Sequence, residues 1–403
     1  MRVLTLTTLY PNAAAPAHGV FVENRLCAFK ARSDADIRVI APAPWFPPGI
    51  PFSGKYAAYA NAPRTERRRE IEVRHPRYAI PPKIGMNYAA RALERCFLHA
   101  ARELVDEGWD FDLIDAHYLY PDGVAAARVA KALGKPVILT ARGSDVTLLP
   151  TFPRQRRMIL DAVDMADAVI AVSASLKAAL LRLGVEAEKI HVFRNGVDLD
   201  RFRPLDRQAI RDKLGVTGKV IASVGHLIER KGHHLAITAL TLLPEASLLI
   251  VGSGEERGAL ADLAHCLGVE SRVRFLGGVP HDELAEIYNA ADALILASSR
   301  EGWPNVLLEA MACGTPVIAT PASAEVIRAA AAGRIASERA APAIAEALGA
   351  LLAAPPDRQT VRRYAEDFSW DETADNLYRL FTRVLRQPAP PSVYLNRALS
   401  AHP

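Results

Sequence analysis

The chain has 403 residues, of which 50% are hydrophobic and 23% are charged, and its formal net charge is +4. This balance excludes a disordered chain, and the length is sufficient for two domains of ordinary size. No stretch reaches the roughly 18 consecutive apolar residues that a membrane span needs, and the sequence enters a strand pattern at once, without a signal-peptide layout, so a cytoplasmic protein is expected. The four cysteines form no C-x-x-C pair and predict neither a disulfide framework nor a zinc site.

The first half alternates short apolar runs with segments of helical period. The runs predicted to be buried strands are Val3–Leu6, Ile37–Ala41, Leu113–Ala116, Val137–Thr140 and Val169–Val172. The helical segments between them are Gly19–Phe29, Ala89–Val105, Gly123–Leu133 and Ser173–Leu183. This alternation is typical of a parallel, doubly wound sheet. The proline-rich stretch Ala43–Pro82 lacks a helical period and is predicted to be an elaboration of this domain.

The second half restarts the same pattern. Its predicted strands are Val220–Val224, Leu248–Val251, Val273–Leu276, Leu294–Ala297 and Val317–Ala319, separated by helical segments such as Leu235–Leu242 and Glu255–Leu267. Turn formers between Asn195 and Pro204 predict a hinge. We therefore expect an α/β fold of two Rossmann-like, doubly wound domains, residues 1–198 and 199–370, that face each other across a central cleft.

The most informative motif follows the strand Leu294–Ala297. It contains Glu301 and Glu309 as E-x7-E within EGWPNVLLEAMACGTPVIAT. Gly302 and Pro304 prevent one continuous helix, so Glu301 lies on a loop and Glu309 in the helix that follows. Free N–H groups at a helix N-terminus suit oxygen-rich ligands, and the two carboxylates can accept hydrogen bonds from sugar hydroxyls and from a ribose diol. Two solvated glutamates beside a helix cap are the alternative.

This segment resembles the donor-site motif of glycosyltransferase family 4, which has the GT-B fold. The resemblance extends over residues 1–386 and implies a retaining transfer from a nucleotide-sugar, with UDP- or GDP-sugars as the expected donors. It also implies that a last helix, residues 371–386, crosses back to the first domain, and it leaves residues 387–403 as a tail. On this resemblance Glu301 is a catalytic residue, and the substrate-binding residues beside it are Gly302, Trp303, Pro304, Asn305, Val306 and Glu309.

A second motif, Val224–Gly232, joins the first strand of the second domain to its first helix. A lysine at a helix N-terminus adds positive charge where a diphosphate leaving group needs it, so Lys231 is a candidate catalytic residue. The family pattern G-R-L-x-x-x-K-G has an arginine where this chain has His226. Both His226 and Arg230 are therefore candidates for a donor-phosphate contact.

A third loop, containing Gly252 and Gly254, ends the next strand. The third glycine of a dinucleotide fingerprint is absent because Arg257 occupies its place, so a nicotinamide enzyme is not expected. The resemblance instead places this loop near the nucleotide base and ribose.

The first domain supplies candidates at its own strand ends. His117 ends a strand that faces the cleft, and it resembles the family's histidine that contacts the transferred sugar; a structural role is the alternative. The run TARGSD is similar to the family's T-x-H-G-x-D, with Arg142 in the histidine position as an anion contact. The other positions that match the family's cleft in this domain are Gly19, Gly143, Asp145, Ser173 and Asn195.

Metal dependence is not expected. The three D-x-D pairs of the chain precede strands or lie in the hinge, whereas a metal on the donor diphosphate needs carboxylates at the carboxyl end of a strand. Since Lys231 supplies positive charge, an enzyme without a metal or another cofactor is predicted. A sugar epimerase or phosphorylase on the same fold, and an inactive nucleotide-sugar-binding subunit, are the alternative functions.

The acceptor side is basic, because the first 195 residues carry 27 Lys+Arg against 20 Asp+Glu and the rest carry 22 against 25. A basic half suits an anionic partner. The resemblance implies a sugar or lipid-linked sugar as acceptor, with peripheral association at the inner face of an anionic membrane; a soluble acceptor is the alternative, and no nucleic-acid partner is expected. The arginines on which this prediction depends are Arg64, Arg67, Arg68, Arg69, Arg74, Arg77, Arg154, Arg156 and Arg157.

Overall fold

The chain builds two mainly parallel sheets, each covered by helices. The computed structural model describes residues 1–45, 61–79 and 85–386. The strands within these ranges are β1 (Arg2–Leu6), β2 (Asp36–Ile40), β3 (Ala43–Trp45), β4 (Thr65–Arg68), β5 (Ile71–Arg74), β6 (Arg77–Ala79), β7 (Leu113–His117), β8 (Val137–Ala141), β9 (Ala168–Ala171), β10 (Ile190–Val192), β11 (Lys219–Val224), β12 (Ala246–Val251), β13 (Val273–Gly277), β14 (Ala293–Leu296), β15 (Val317–Ala319) and β16 (Gly333–Ile335).

The α-helices lie between the strands and after the last strand. They are α1 (Val20–Ala31), α2 (Ala89–Asp106), α3 (Val124–Leu133), α4 (Ser144–Thr147), α5 (Pro153–Met165), α6 (Ala174–Arg182), α7 (Arg207–Leu214), α8 (His233–Leu240), α9 (Arg257–Cys266), α10 (Leu284–Ala290), α11 (Asn305–Ala312), α12 (Ala341–Ala353), α13 (Arg358–Glu366) and α14 (Trp370–Arg386). In the described part of the chain, no helix has both the length and the apolar character needed to cross a membrane.

The first sheet has the strand order β10-β9-β8-β7-β1-β2-β5-β4. Every neighbouring pair is parallel except β4 with β5. All residues of β7 and β8 are buried, as expected for central strands with helices on both faces. The order reverses between β1 and β7, so a crevice opens beyond the carboxyl ends of these two strands.

The second sheet has the order β13-β12-β11-β14-β15-β16 and is parallel throughout. Its switch point lies between β11 and β14, which places the loops after Val224 and Leu296 side by side. The prediction of an α/β fold with two Rossmann-like domains is thereby confirmed.

The predicted excursion Ala43–Pro82 contains β3 to β6 and, at residues 46–60 and 80–82, positions outside the described residues. At the other end, α14 packs on α1 of the first domain, with the rings of Phe29 and Phe381 edge to face at 5.1 Å. The predicted tail, residues 387–403, lies outside the described residues.

Candidate active site

The two crevice edges touch in this structure. A Cβ on Gly302 would clash with the carbonyl oxygen of Arg142, so glycine is required for this approach. Gly143 packs against the same Gly302 backbone. Nearby, the Asn195 amide nitrogen donates to Asn305 Oδ1 at 3.2 Å. The predicted loop of the second domain is therefore seated directly on predicted residues of the first.

A cation and a carboxylate meet on the donor side of the crevice. Lys231 Nζ lies 2.6 Å from Glu301 Oε1, and the hydroxyl of Ser298 donates to the same oxygen at 2.7 Å. The two charged side chains are only 15% and 11% exposed. Residues 70 positions apart are brought together because β11 and β14 are neighbours in the sheet. The structure thus assembles two of the predicted catalytic residues into one cluster.

The two phosphate-contact candidates of this loop differ in position. Arg230 Nη1 lies 3.7 Å from Glu301 Oε1 and donates to the carbonyl oxygen of Arg300 at 3.0 Å, so Arg230 belongs to the cluster. His226 is exposed. Burial lowers the pKa of His18 on the acceptor side, and the charge of His226 acts in the same direction.

The predicted glycines lie where backbones cross closely. A Cβ on Gly252 would clash with the carbonyl oxygen of Gly225, and one on Gly254 with that of Leu227. On the acceptor side, a Cβ on Gly19 would clash with the backbone of Leu9. Bulk at these positions would push the strand-end loops apart.

His117 is held between an acid and a guanidinium. Its Nδ1 lies 2.5 Å from Arg142 Nη2, which can only donate, so Nε2 carries the proton and donates to Asp115 Oδ2 at 3.0 Å. Burial lowers the pKa of His117 to about 3, against the influence of Asp115. Although burial alone would raise it, the pKa of Asp115 falls to about 2 because of His117 and Arg25. His117 is therefore neutral and fully buried, and both ring nitrogens are engaged.

Two other predicted binding residues stabilise backbone turns. Asp145 is fully buried and accepts hydrogen bonds from the backbone N–H groups of Leu119, Arg142 and Gly143. Ser173 caps α6 by accepting from the N–H of Leu176 at 3.2 Å. Neither side chain reaches the open crevice in this structure, so a direct ligand contact for either remains a prediction.

The remaining predicted residues lie in α11 and in the two positions before it. Both carboxylate oxygens of Glu309 are occupied, one by Tyr288 Oη at 2.7 Å and the other by His281 Nε2 at 3.1 Å. Trp303 is buried, and its ring faces that of Phe368 at 6.3 Å. Pro304 is the residue before the helix, and Asn305 and Val306 form its first turn.

Sequence reasoning missed several charged residues of this region. Asp115 lies two residues before His117 on one strand, and alternate strand residues share a face, so this partner could have been found from the sequence. Arg25 is fully buried and donates to Thr140 Oγ1 at 2.9 Å. Glu325, from the second domain, accepts from the N–H groups of Ala174 and Ser175 at the N-terminus of α6. No sequence motif marks Arg25 or Glu325.

No group of three or more His, Cys, Asp or Glu residues within the described ranges is arranged to hold a metal ion. The D-x-D prediction stays a prediction, because a metal carried by the donor itself would need no such group.

Two Rossmann-like domains, closed over a crevice that presents Lys231 and Glu301, form a GT-B fold. Solved structures share this fold: sucrose-phosphate synthase from Thermosynechococcus elongatus has a TM-score of 0.77 at 21% identity, covering 95% of this chain and 98% of that one. The Anabaena protein HepE, in complex with UDP and glucose, has a TM-score of 0.74 at 21% identity, covering 95% and 100%.

Matches to family models and to related sequences are more specific than the shared fold. Residues 26–201 match the family "Glycosyltransferase Family 4", and residues 206–368 match "Glycosyl transferases group 1". A protein of Bacillus subtilis (strain 168), "Putative teichuronic acid biosynthesis glycosyltransferase TuaC", is 30% identical over 331 residues, which are 79% of this chain and 81% of that protein. D-inositol 3-phosphate glycosyltransferase of Mycobacteroides abscessus is 34% identical over 251 residues, which are 59% of this chain and 54% of that protein. The chain belongs to glycosyltransferase family 4.

Proposed function

We propose that this glycosyltransferase moves a sugar from a UDP- or GDP-sugar to an acceptor hydroxyl, with retention of the anomeric configuration. The observation that carries the proposal is the Lys231–Glu301 pair at the sheet switch point, 2.6 Å apart and largely shielded from water. A lysine held there can stabilise the negative charge that grows on a departing diphosphate. The solved complex of HepE with UDP and glucose supports a uridine donor.

Retention is supported by the state of His117. A retaining transfer in which the acceptor enters on the face that the diphosphate leaves needs no protein base, because the departing phosphate can take the proton. His117 is neutral, and its two nitrogens are bonded to Asp115 and Arg142, so it positions these side chains and does not accept a proton. Lys231 and Arg230 also supply the positive charge that a metal would otherwise bring, which supports metal-independent transfer.

A donor panel tests the reaction class. Purified protein is incubated with UDP-, GDP- and ADP-sugars, with and without EDTA, and products are followed by NMR. We expect slow, EDTA-insensitive hydrolysis of one donor and, with an acceptor glycan, a product with the donor's anomeric configuration. Interconversion of the sugar would indicate an epimerase, and binding without turnover an inactive subunit. An inverted product would contradict retention.

We also propose a lipid-linked acceptor at an anionic membrane surface. Two of the arginines predicted to face the membrane are already paired with carboxylates: Arg68 with Glu23 at 2.7 Å and Arg74 with Glu72 at 2.9 Å. They therefore do not support this proposal. The arginines Arg154, Arg156 and Arg157 are exposed at the start of α5. Together with the exposed apolar side chains of Met86, Tyr88 and Phe152 they form what we call the α5 patch.

The α5 patch lies beside the crevice. Gln155 Nε2 donates to Asn87 Oδ1 at 3.1 Å, which joins the start of α5 to the segment before α2. Both helices begin at the carboxyl edge of the first sheet, where an acceptor must enter. Basic residues near an anionic surface contribute about 1 kcal/mol each, and salt screens the attraction.

Vesicle sedimentation tests this surface. We expect binding to anionic but not to neutral vesicles, decreasing with salt, and weaker binding for Phe152→Ser and for a variant with Arg154, Arg156 and Arg157 replaced by Gln. Leu242→Ser is the matched control, since Leu242 is 58% exposed on the other domain. Equal, negligible binding to both vesicle types would contradict the membrane proposal.

A further inference from the structure

Arg142 is a largely enclosed cation that forms no ion pair with a carboxylate of the described residues. Its Nη1 donates to Asn195 Oδ1 at 3.0 Å, its Nη2 to His117 Nδ1, and its guanidinium lies 5.0 Å from the centre of the Phe21 ring. Both acceptors are neutral groups. Asp115, which neighbours this cluster, forms its ion pairs with Arg25 and His117 instead.

The nearest acids are engaged elsewhere. Asp115 accepts from His117 and faces Arg25 at 3.6 Å. Asp145 accepts from three backbone N–H groups, including that of Arg142 itself. The buried cluster thus holds two guanidinium groups, and Asp115 lies within ion-pair distance of only one of them. Asp115 and Asp145 favour the charged guanidinium of Arg142 from a distance, but neither pairs with it directly, and a buried charge without a paired partner is destabilising unless a ligand supplies one.

The guanidinium also has unused donors. Arg142 Nε is buried and has no hydrogen-bond partner, and the two Nη atoms each have a second N–H. Arginine presents such donors in a planar fork that matches the oxygens of a carboxylate or a phosphate. The guanidinium faces Phe21 in the first turn of α1, and the backbone carbonyl of the same arginine meets Gly302, so Arg142 lies where the two edges of the crevice come together.

We propose that Arg142 is a binding site for an anionic oxygen group of a substrate, either the carboxylate of an acidic sugar or a phosphate. The proposal depends on the proposed function only for the choice of nucleotide probes. It assigns a specificity-determining role to a position where the chain departs from the family's histidine.

Isothermal titration of the wild type, Arg142→Gln and Arg142→Lys distinguishes the sources of the anion. The probes are UDP, UDP-glucose, UDP-glucuronic acid and inorganic pyrophosphate; kinetics add a polyprenyl-diphosphate-linked sugar against an uncharged octyl glycoside. Hydrogen bonds to a charged group support an expected loss of roughly 10- to 100-fold for the recognised probe in Arg142→Gln. Arg142→Lys, which keeps the charge, should recover part of it.

Each pattern has a defined meaning. A loss for UDP-glucuronic acid but not UDP-glucose identifies a sugar carboxylate, and an equal loss for UDP and both sugars identifies the donor diphosphate. A raised KM for the diphosphate-linked acceptor alone identifies the acceptor. Arg379→Gln, which changes an exposed arginine on α14, is the control. The proposal is overturned if Arg142→Gln loses no more than this control in every assay. It is also overturned if Arg142→Gln and Arg142→Lys behave identically.

The pyrophosphate titration separates this inference from the proposed function. If the wild type binds no nucleotide-sugar but binds pyrophosphate in an Arg142-dependent way, the donor proposal fails and the anion site stands. Thermal unfolding of each variant is measured alongside, and a loss of binding that only follows a loss of folded protein at the assay temperature also overturns the assignment.

Discussion

Replacing Lys231 by methionine isolates the charge that the donor side of the crevice presents to a leaving group. Its Nζ lies 2.6 Å from Glu301 Oε1, and both side chains are mostly buried, so the cation is fixed before substrate arrives. Losing one preorganised stabiliser of this kind lowers kcat by about 10²- to 10³-fold, or ~2.7–4 kcal/mol. We expect a loss of that size at saturating donor, followed as released nucleoside diphosphate.

The effect on stability should be smaller. Without Lys231, Glu301 still accepts from Ser298 Oγ at 2.7 Å and lies 3.7 Å from Arg230 Nη1, so it is not left without a partner. We expect the free energy of unfolding to fall by about 1–3 kcal/mol, measured by urea unfolding.

Two variants make the test decisive. Lys213→Met removes an exposed lysine of the same domain, paired with Glu286 at 2.7 Å, and should leave kcat unchanged. Lys231→Met combined with Glu301→Gln removes the carboxylate left behind and should recover stability without recovering turnover. Near-normal kcat in Lys231→Met, or recovery of kcat together with stability in the double variant, would refute the electrostatic role.

Three further predictions concern the crevice. Gly302→Ala should disfavour closure of the two domains by about 1–3 kcal/mol, because the new Cβ would meet the Arg142 carbonyl oxygen. Turnover should therefore fall roughly 10- to 100-fold, while the thermal unfolding temperature of each domain should not fall. Burial raises the pKa of Asp122 to about 7, so the stability that its protonated carboxyl contributes is complete below pH ~4 and is lost as the pH rises to about 7. In urea unfolding, the stability of the wild type relative to Asp122→Asn should fall over that window by about 1.4 kcal/mol per unit of raised pKa. Parallel stability curves for the two proteins would contradict this prediction. Because Glu325 of the second domain bonds to α6 of the first, Glu325→Ala should increase the radius of gyration of the ligand-free protein in small-angle scattering. Glu338→Ala, at an exposed position, is the control and should not change it. Equal radii for the two variants would show that Glu325 does not hold the domains together.

The central strands could be predicted because each is a continuous apolar run buried on both faces. The run Val3–Leu6 became β1 (Arg2–Leu6), and Leu113–Ala116 became β7 (Leu113–His117). The β4–β5 hairpin could not, because all four residues of β4 are polar and β5 offers only two buried apolar side chains, Ile71 and Val73. The short β10 and β16 also gave no signal, because each has only one buried residue and includes a polar side chain, whereas the equally short β15 is apolar and buried throughout.

The candidate site divides in a similar way. Motifs at strand ends identified Lys231 and Glu301, and their meeting follows from the strand order of a doubly wound sheet. Pairings that depend on side-chain packing could not be predicted: the link of Arg142 to His117 joins two strands, and Glu325 reaches α6 from the other domain. The sequence predicts which loops face the crevice, whereas tertiary packing determines which hydrogen-bond and ion-pair partners their side chains have.

The two halves of the site are each assembled within one domain. His117, Arg142 and Asn195 belong to residues 1–198, and Lys231 and Glu301 to residues 199–370. A rotation at the hinge would break the bond of Asn195 to Asn305 but none within either half. Because interfaces between domains of one chain commonly permit such motion, opening admits substrates without disordering the groups that act on them. The charge that meets the leaving group and the network that orients His117 are therefore both preorganised, and closure alone has to bring them together.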